Sequence, residues 1–537
     1  MAQLILIQPP PSMKRFTSAV VAAFFLHSFT AVDSSSPVAP SCLSKIVSKG
    51  PQSHAFTPTI PTVDHKTEAA VGCWKESQRL VPLLHLHSRQ HNESAFQGWT
   101  AHPNGRGTTD IIWGCCVTIF LCCWSVVCIN VPPARWGRWR RIHEKILVTC
   151  MSGLGPEFTF QLALGQWLSA RLSVQDFKQS GFQHWSMKHA FLADMGGFVL
   201  HAPDFVEFPL NARHVHYLVV KGYISYDSVG IDVDIINDKN KVNGLVRFIT
   251  VTQILWFSLQ CLARLLQHLT LTTMELSALA YIFCTLGTYF LWIRKPMDVT
   301  STIVLQPNTS LANILIQAGY LARQPYRSTP LDFVDREHSS WYLYWTYWMN
   351  LVRKLRLLYP IKRGPIEMIP DDNFPPLSGT TVAVLILFQG TYAAVQICGW
   401  NYPFPTPLEQ LLWRVSSLYI ILSIVLFWIV DTYAWKVYPT LKRYLCKPVK
   451  PDSEMGYSNL CCARTPWTSS TARIRNNTSP YDTSMDIPLK ALIPVTALGI
   501  GYCIARAYIF VEDWISLRAL PPDAYDTVEW SALLPHF

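Results

Sequence analysis

The sequence predicts an all-α integral membrane protein, with six or seven transmembrane helices behind an N-terminal signal peptide. Three observations carry that expectation. Only 15% of the 537 residues are charged, where soluble proteins carry about 25%. The chain is 50% hydrophobic with 20 Trp, 22 Tyr and 26 Phe, a supply of the aromatic side chains that favour bilayer interfaces. Uncharged stretches of about twenty residues, the length that spans a hydrocarbon core, recur along the chain, as in "IIWGCCVTIFLCCWSVVCINV". The net charge of +10 does not point to nucleic acid, because no recognition motif accompanies it and the basic residues sit beside apolar spans.

At the N-terminus, Lys14 and Arg15 precede a mostly apolar run too short for a comfortable span and then Ala31-Val32-Asp33. That pattern reads as a signal peptide over residues 1–32, with an uncleaved anchor as the alternative. Residues 33–109 are rich in Pro, Ser and His without periodicity, the composition of a low-order lumenal or extracellular segment. This segment holds the sequon at Asn92, and Cys42 and Cys73, which could form one disulfide.

Residues 110–170 follow as two helices, the first ending at Pro132-Pro133, with "RWGRWRRIHEK" between them as a cytoplasmic flank. Residues 171–244 read as a polar, membrane-apposed segment, 245–293 as a helical pair, and 294–378 as a polar loop. Then come a second pair over 379–430, a basic loop over 431–490, and a last span with a C-terminal tail over 491–537. No internal repeat is present.

The second helix, "ILVTCMSGLGPEFTFQLALGQWLSA" (Ile146–Ala170), carries Pro156-Glu157 at its centre. Glu157, Gln161 and Gly165 recur every four residues, so they share a helix face that should turn away from lipid. Glu157 could be a proton or cation site; the favoured reading is a neutral or paired carboxyl, with Arg506 as partner, that locks helices together. The sidedness of everything downstream depends on this segment. A full crossing, the favoured expectation, gives seven spans and opens Asn308, Asn476 and Asn477 to glycosylation. A re-entrant segment broken at Gly155-Pro156 gives six, and makes "WMNLVRKLRLLYPIKR" and "WKVYPTLKRYLCKPVK" cytoplasmic, as the positive-inside rule prefers.

Five ordered motifs carry a resemblance: "NGRGTTDIIWGCCVTIFLCCWSVVCINVP", the Pro156-Glu157 span, "WSMKHAFLADMGGF", "TTMELSALAYIFCTLGTYFLWIRKPMDV" and the closing "SLRALPPDAY…W…LPHF". Over roughly Asn104 to Phe537 the chain resembles a large fungal family of multi-pass membrane proteins of unassigned function, often labelled as transcription-factor-domain proteins. The resemblance implies a fungal membrane protein, some of whose relatives are encoded near specialised-metabolite pathways. It implies no reaction and no catalytic residues. The chain departs from the family at "INDKNKVNG" and in having His214 and His216.

Other candidate residues have plain structural readings. Glu275 with Thr272 reads as a capping box, and Arg414 and Asp431 sit near opposite ends of one span, where they can snorkel. His189 and Asp194, with His184, could supply an acid/base set, but no nucleophile elbow or phosphate loop accompanies them. His85, His87 and His91 lack firm acidic partners for a metal, no CxxC pair occurs, and His214 and His216 alternate as on a strand. Cys461-Cys462 could be palmitoylated if cytoplasmic. The reading is therefore a membrane component without a recognisable enzyme site: a transporter, channel, sensor or scaffold of the secretory or surface membranes. It uses no cofactor or metal, has the lipid bilayer as partner and takes an unidentified ion or small molecule. The alternative is a membrane-embedded cyclase or acyl transferase using Glu157 or His189 and Asp194.

Overall fold

The computed structural model describes residues 96–101, 105–133, 135–238, 244–323, 326–355, 364–445, 474–477 and 485–530. The signal-like segment, Cys42, Cys73, Asn92, the ectodomain histidines and Cys461-Cys462 lie outside them. The described residues are mostly helical, and six helices among them are long and apolar enough to cross a membrane: α1 (Thr108–Val126), α7 (Gly244–Leu266), α8 (Thr273–Leu291), α11 (Gly379–Ile397), α12 (Pro407–Thr432) and α14 (Leu489–Ile515).

Local chemistry starts several of these helices where the sequence expects. Thr272 accepts the Glu275 amide while the Glu275 carboxylate accepts the Thr272 amide at 2.9 Å, the expected capping box. Ser378 caps α11 and Thr406 caps α12, where Pro407 fills the first helical position without needing an amide donor.

Contacts at the helix ends fix the direction of each span. At one end, Thr108 meets Tyr525 at 3.2 Å, Arg106 pairs with Glu275, Thr273 meets Ser516 at 2.8 Å and Arg518 pairs with Glu409. Here too Arg264, buried near the end of α7, donates to the carbonyls of Asp523, Ala524 and Asp526 and clamps the "PPDAYD" tail. At the other end, Lys295, just past α8, donates to the Cys128 carbonyl, and Arg247 near the start of α7 meets Met297. We call these the Thr108 end and the Val126 end. The six helices alternate between them, and α11, joined to α12 by a short link, starts at the Val126 end.

Ile146–Ala170 does not pass from one end to the other, against the expectation of a seventh crossing. It belongs to two helices, α2 (Arg138–Leu154) and α3 (Pro156–Gln179), broken at Gly155. Lys145 on α2 pairs with Asp298 at 3.1 Å, near the Val126 end. The last turn of α2 reaches Tyr281, two turns inside α8, whose hydroxyl donates to the Gly153 carbonyl. α3 then climbs back: Gln389 on α11 donates to Gln161 at 3.1 Å, and Gln166 accepts from Lys295 at 2.7 Å. Pro156 to Gln166 rises roughly 15 Å at helical pitch, about half of a hydrocarbon core of ~30 Å. The pair is a helical hairpin whose tip lies midway along the six apolar helices. Proline cannot continue the α2 ladder but suits the first turn of α3, and a Cβ at Gly155 would overlap the Phe158 ring.

The two long polar stretches, expected as a membrane-apposed segment and a loop, build one packed cap at the Val126 end. Residues 187–238 supply α4 (Met187–Asp194), β1 (Phe198–Leu200), β2 (Phe208–Leu210), α5 (Ala212–Val220) and α6 (Val233–Asp238). Residues 303–354 add β3 (Ile303–Leu305), α9 (Leu311–Ala318) and α10 (Ser340–Lys354). β1 pairs antiparallel with β2 and parallel with β3, in the order β2-β1-β3. Pro209, which cannot donate to a ladder, therefore sits in an edge strand. Phe177, Trp185, Phe198 and Phe208 are fully buried between the hairpin's outer half and this sheet. His214 and His216 lie on helix α5, not on a strand.

The hairpin fixes sidedness. In a background without other reactive cysteines, Arg140→Cys and Ser310→Cys should react with an impermeant maleimide from the same side of sealed vesicles, and Thr527→Cys from the opposite side. Arg140 and Ser310 labelling from opposite sides would restore the seventh crossing.

Candidate functional site

The hairpin break delivers Glu157 into the bundle interior. The residue is 1% exposed, and Gln161 and Gly165 also face inward; the ring of Phe374 fills the space beside Gly165 that a side chain would need. Around Glu157 stand Arg506 on α14, Tyr392 on α11 and Tyr281 on α8. Arg506 donates to the Tyr281 hydroxyl at 3.5 Å and lies 5.4 Å from the Tyr392 ring centre. It faces Glu157 without closing an ion pair within 4 Å, so the expected partner is present but not locked. Both Glu157 carboxylate oxygens and the Tyr392 hydroxyl lack a hydrogen bond of ordinary geometry.

From this centre a polar ladder runs to the Thr108 end. Thr273, Ser277 and Tyr281 recur every four residues on α8 and face Ser516, Asp513 and Arg506 on α14. Thr273 and Ser516 bond at 2.8 Å, Asp513 is influenced by both Ser277 and Arg506, and Arg506 meets Tyr281. Asp513 Oδ1, Glu512 Oε1, the Ser277 hydroxyl and both amide atoms of Gln396 are buried without a hydrogen-bond partner, although such groups are ordinarily satisfied.

Toward the Val126 end the character changes. Trp428 donates to Gln389 at 3.2 Å, which donates to Gln161 Oε1, a chain across three helices that leaves the Gln161 amide nitrogen without a partner. Beside it Phe388 stacks on Phe160 at 3.3 Å and on Phe283 at 4.4 Å, an aromatic block across the bundle. Beyond it, Lys295 bridges to Gln166 at 2.7 Å, and Gln166 donates to the Asp371 carbonyl.

His189 and Asp194 share helix α4 but are not brought together. His189 Nδ1 belongs to the cap at Ser186 (2.8 Å), and its Nε2 meets the Ile231 carbonyl at 2.6 Å; burial holds its pKa below the usual histidine value. Asp194 accepts the Ala212 amide at 3.0 Å and so holds the start of α5; burial pushes its carboxyl up to about 6. His184 is exposed. A small, open cleft in the cap is lined by His214, Arg327, Asp332 and Asp335. Its groups are largely spent on one another: Asp332 accepts the amides of Arg327, Ser328 and Thr329, and Asp335 pairs with Arg213. Among the described residues no cluster of His, Cys, Asp and Glu could hold a metal ion. Asn476 is buried and its amide donates to Asp486, Asn477 donates to the Tyr347 carbonyl, and Asn308 is exposed at the cap.

Sequence reasoning missed Asp513, Tyr281, Tyr392 and Gln389. Asp513 in "VEDWI" reads as the flank of the last span, while Tyr281 and Tyr392 look like ordinary span aromatics. The four-residue spacing of Thr273, Ser277 and Tyr281 was the available signal.

Over residues 80–318 and 380–537 the chain matches a family of unknown function (DUF8562). Glu157, Gln161, Tyr281, Gln389, Tyr392, Arg506 and Asp513 all fall within the matched residues, and the Arg327 side of the cap cleft falls outside them. No curated protein and no solved structure matches the chain.

The raised carboxyl of Asp194 gives a signed prediction. Between its ordinary value of 3.8 and about 6 the folded chain keeps a proton that the unfolded chain has released. This group's contribution to stability is therefore full below the unfolded value and falls as pH rises through that window. Asp194→Asn should flatten the decline in melting temperature between those pH values; an unchanged slope would contradict the assignment.

Proposed function

The chain belongs to this family of unknown function, so its activity has to be read from its own residues, and we propose that it is a multi-pass membrane protein of the transporter or channel type. Its working centre is the hairpin tip at Glu157, facing Arg506. The observation that carries this reading is the ladder of buried polar side chains from the Thr108 end to the middle of the bundle. Ionisable groups at membrane depth are costly and mark ion and substrate routes, and broken helices at mid-depth are tolerated where they line a protein-enclosed or watery path. Orphaned polar atoms such as those of Gln396 and Asp513 call for water or a mobile cation.

Orientation follows from charge. The described parts of the basic stretches, residues 135–145, 348–355 and 435–445, adjoin the Val126 end, which we therefore assign to the cytoplasm. The Thr108 end, with residues 520–530, then faces the lumen or the exterior, and Asn308, Asn476 and Asn477 remain unglycosylated, while the Asn92 sequon, which precedes α1 in the chain, is proposed to carry sugar. The signal-like N-terminus supports the secretory or surface membranes; the fungal source and a link to specialised metabolism rest on sequence resemblance. Transport is favoured over an embedded cyclase or acyl transferase because His189 and Asp194 are held in structural contacts and Glu157 sits at the inner end of a polar ladder that runs to one end of the bundle.

A watery route is testable by accessibility. Thr273→Cys and Ser277→Cys, both buried, should react with a membrane-impermeant thiosulfonate added from the Thr108 end. Leu286→Cys and Leu418→Cys, on outward surfaces of α8 and α12, should not. Unreactive cysteines at both ladder positions would contradict the route.

A further inference from the structure

Arg506 stands between two carboxylates. Glu157 faces it from the hairpin, and Asp513 faces it from two turns along α14. Neither acid closes an ion pair with it within 4 Å, and both are buried, at 1% and 6% exposure. The other titratable groups facing this trio are Tyr281 and Cys284 on α8, Tyr392 on α11 and Glu512 on α14, with Cys122 and Cys123 on α1 beside Cys284. Each is neutral or acidic. Two carboxylates therefore share one cation in an interior where an uncompensated charge costs several kcal/mol, and where two neighbouring acids cannot both ionise cheaply. Glu512 has its own partners in Tyr508 and Arg518, so neutrality of the trio requires one proton on the Glu157–Asp513 pair.

We propose that Glu157, Arg506 and Asp513 form a proton-carrying switch, and that the proton is the ion moved or coupled by this protein. This rests on the transport reading above and names its substrate class. In one state Asp513 carries the proton, and Glu157 is the carboxylate that Arg506 balances. In the other the O–H bond at Asp513 breaks, an O–H bond forms at Glu157, and Arg506 balances Asp513; net charge is unchanged. The hydroxyls of Ser277, Tyr281 and Tyr392 line the path between the two acids, and a hydroxyl can accept a proton on one side while donating on the other. Asp513 lies on the Thr108 side of Arg506, one step below the buried Thr273–Ser516 pair, whereas the Phe160–Phe388–Phe283 block closes the way beyond Glu157. Asp513 is thus the loading acid from the Thr108 end, and Glu157, at the hairpin tip, is the acid that commits the proton inward.

The test reads the protonated acid directly. Infrared spectra of the full chain in lipid at neutral pH should contain the carbonyl stretch of a buried protonated carboxylic acid. That band should lose the same share of its intensity in Asp513→Asn and in Glu157→Gln, since each leaves one carboxylate for one guanidinium. It should gain that share in Arg506→Gln, where both acids must take a proton; a merely structural role would not produce that increase. Absence of the band from the unaltered chain overturns the proposal whether or not the variants fold. So does a band that survives undiminished in both acid variants. If the ladder cysteines react but the band is missing, the watery route stands and the proton assignment alone falls. If the band behaves as described while the cysteines stay unreactive, the shared proton stands and the open route falls.

Discussion

A carboxylate at half the depth of a bilayer has to be compensated, and most of this structure follows from the way Glu157 is handled. A straight helix through Ile146–Ala170 would carry it across the membrane on a single face. The Gly155-Pro156 break instead ends one helix and starts another at that depth, which places Glu157 in the first turn of α3, where the positive end of a helix dipole favours an acid. The freed carbonyl of Gly153 is taken by Tyr281. Because the hairpin returns to the end from which it came, every later helix is inverted relative to a seven-span arrangement, and the described basic segments gather at one end.

The same hairpin ties the bundle to its cap. The inner half of α3 packs on α8 and α11 through Phe160 and Gln161, with Phe374 seated beside Gly165; its outer half, including Phe177, is buried under α4 and α5. Movement of the cap would therefore be transmitted to Glu157 through one continuous helix. Lys295 and Gln166 sit where the two parts meet, and their buried bond fixes the level of α3 against the end of α8.

Much of the bundle was legible in the sequence because lipid imposes a simple code: long uncharged runs, with the capping box at Thr272 and Glu275 marking where one of them begins. The inward stripe of Glu157, Gln161 and Gly165 was equally visible from spacing. The crossing was misjudged because length and hydropathy cannot distinguish one helix of twenty-five residues from two half-depth limbs; what separates them is pairing with Tyr281, Gln389 and Lys295, all distant in sequence. The cap was illegible for a related reason. Its strands are three residues long, and β1 pairs with β3 across more than one hundred residues that include two spans. Asp513 was hidden because an acid at the end of an apolar run looks like a flank until its partners on α8 are known.

The central claim is that the hairpin tip and α14 share one buried electrostatic environment. The most direct measurement is a double-mutant cycle on unfolding free energy with Glu157→Gln, Arg506→Gln and the pair, in the purified chain in a bilayer mimetic. The account predicts non-additivity of about 0.5–3 kcal/mol, with the double variant less destabilised than the sum of the singles, as for groups in one network. Strictly additive losses would mean that Glu157 and Arg506 do not sense each other, and that the hairpin does not reach the centre of the bundle.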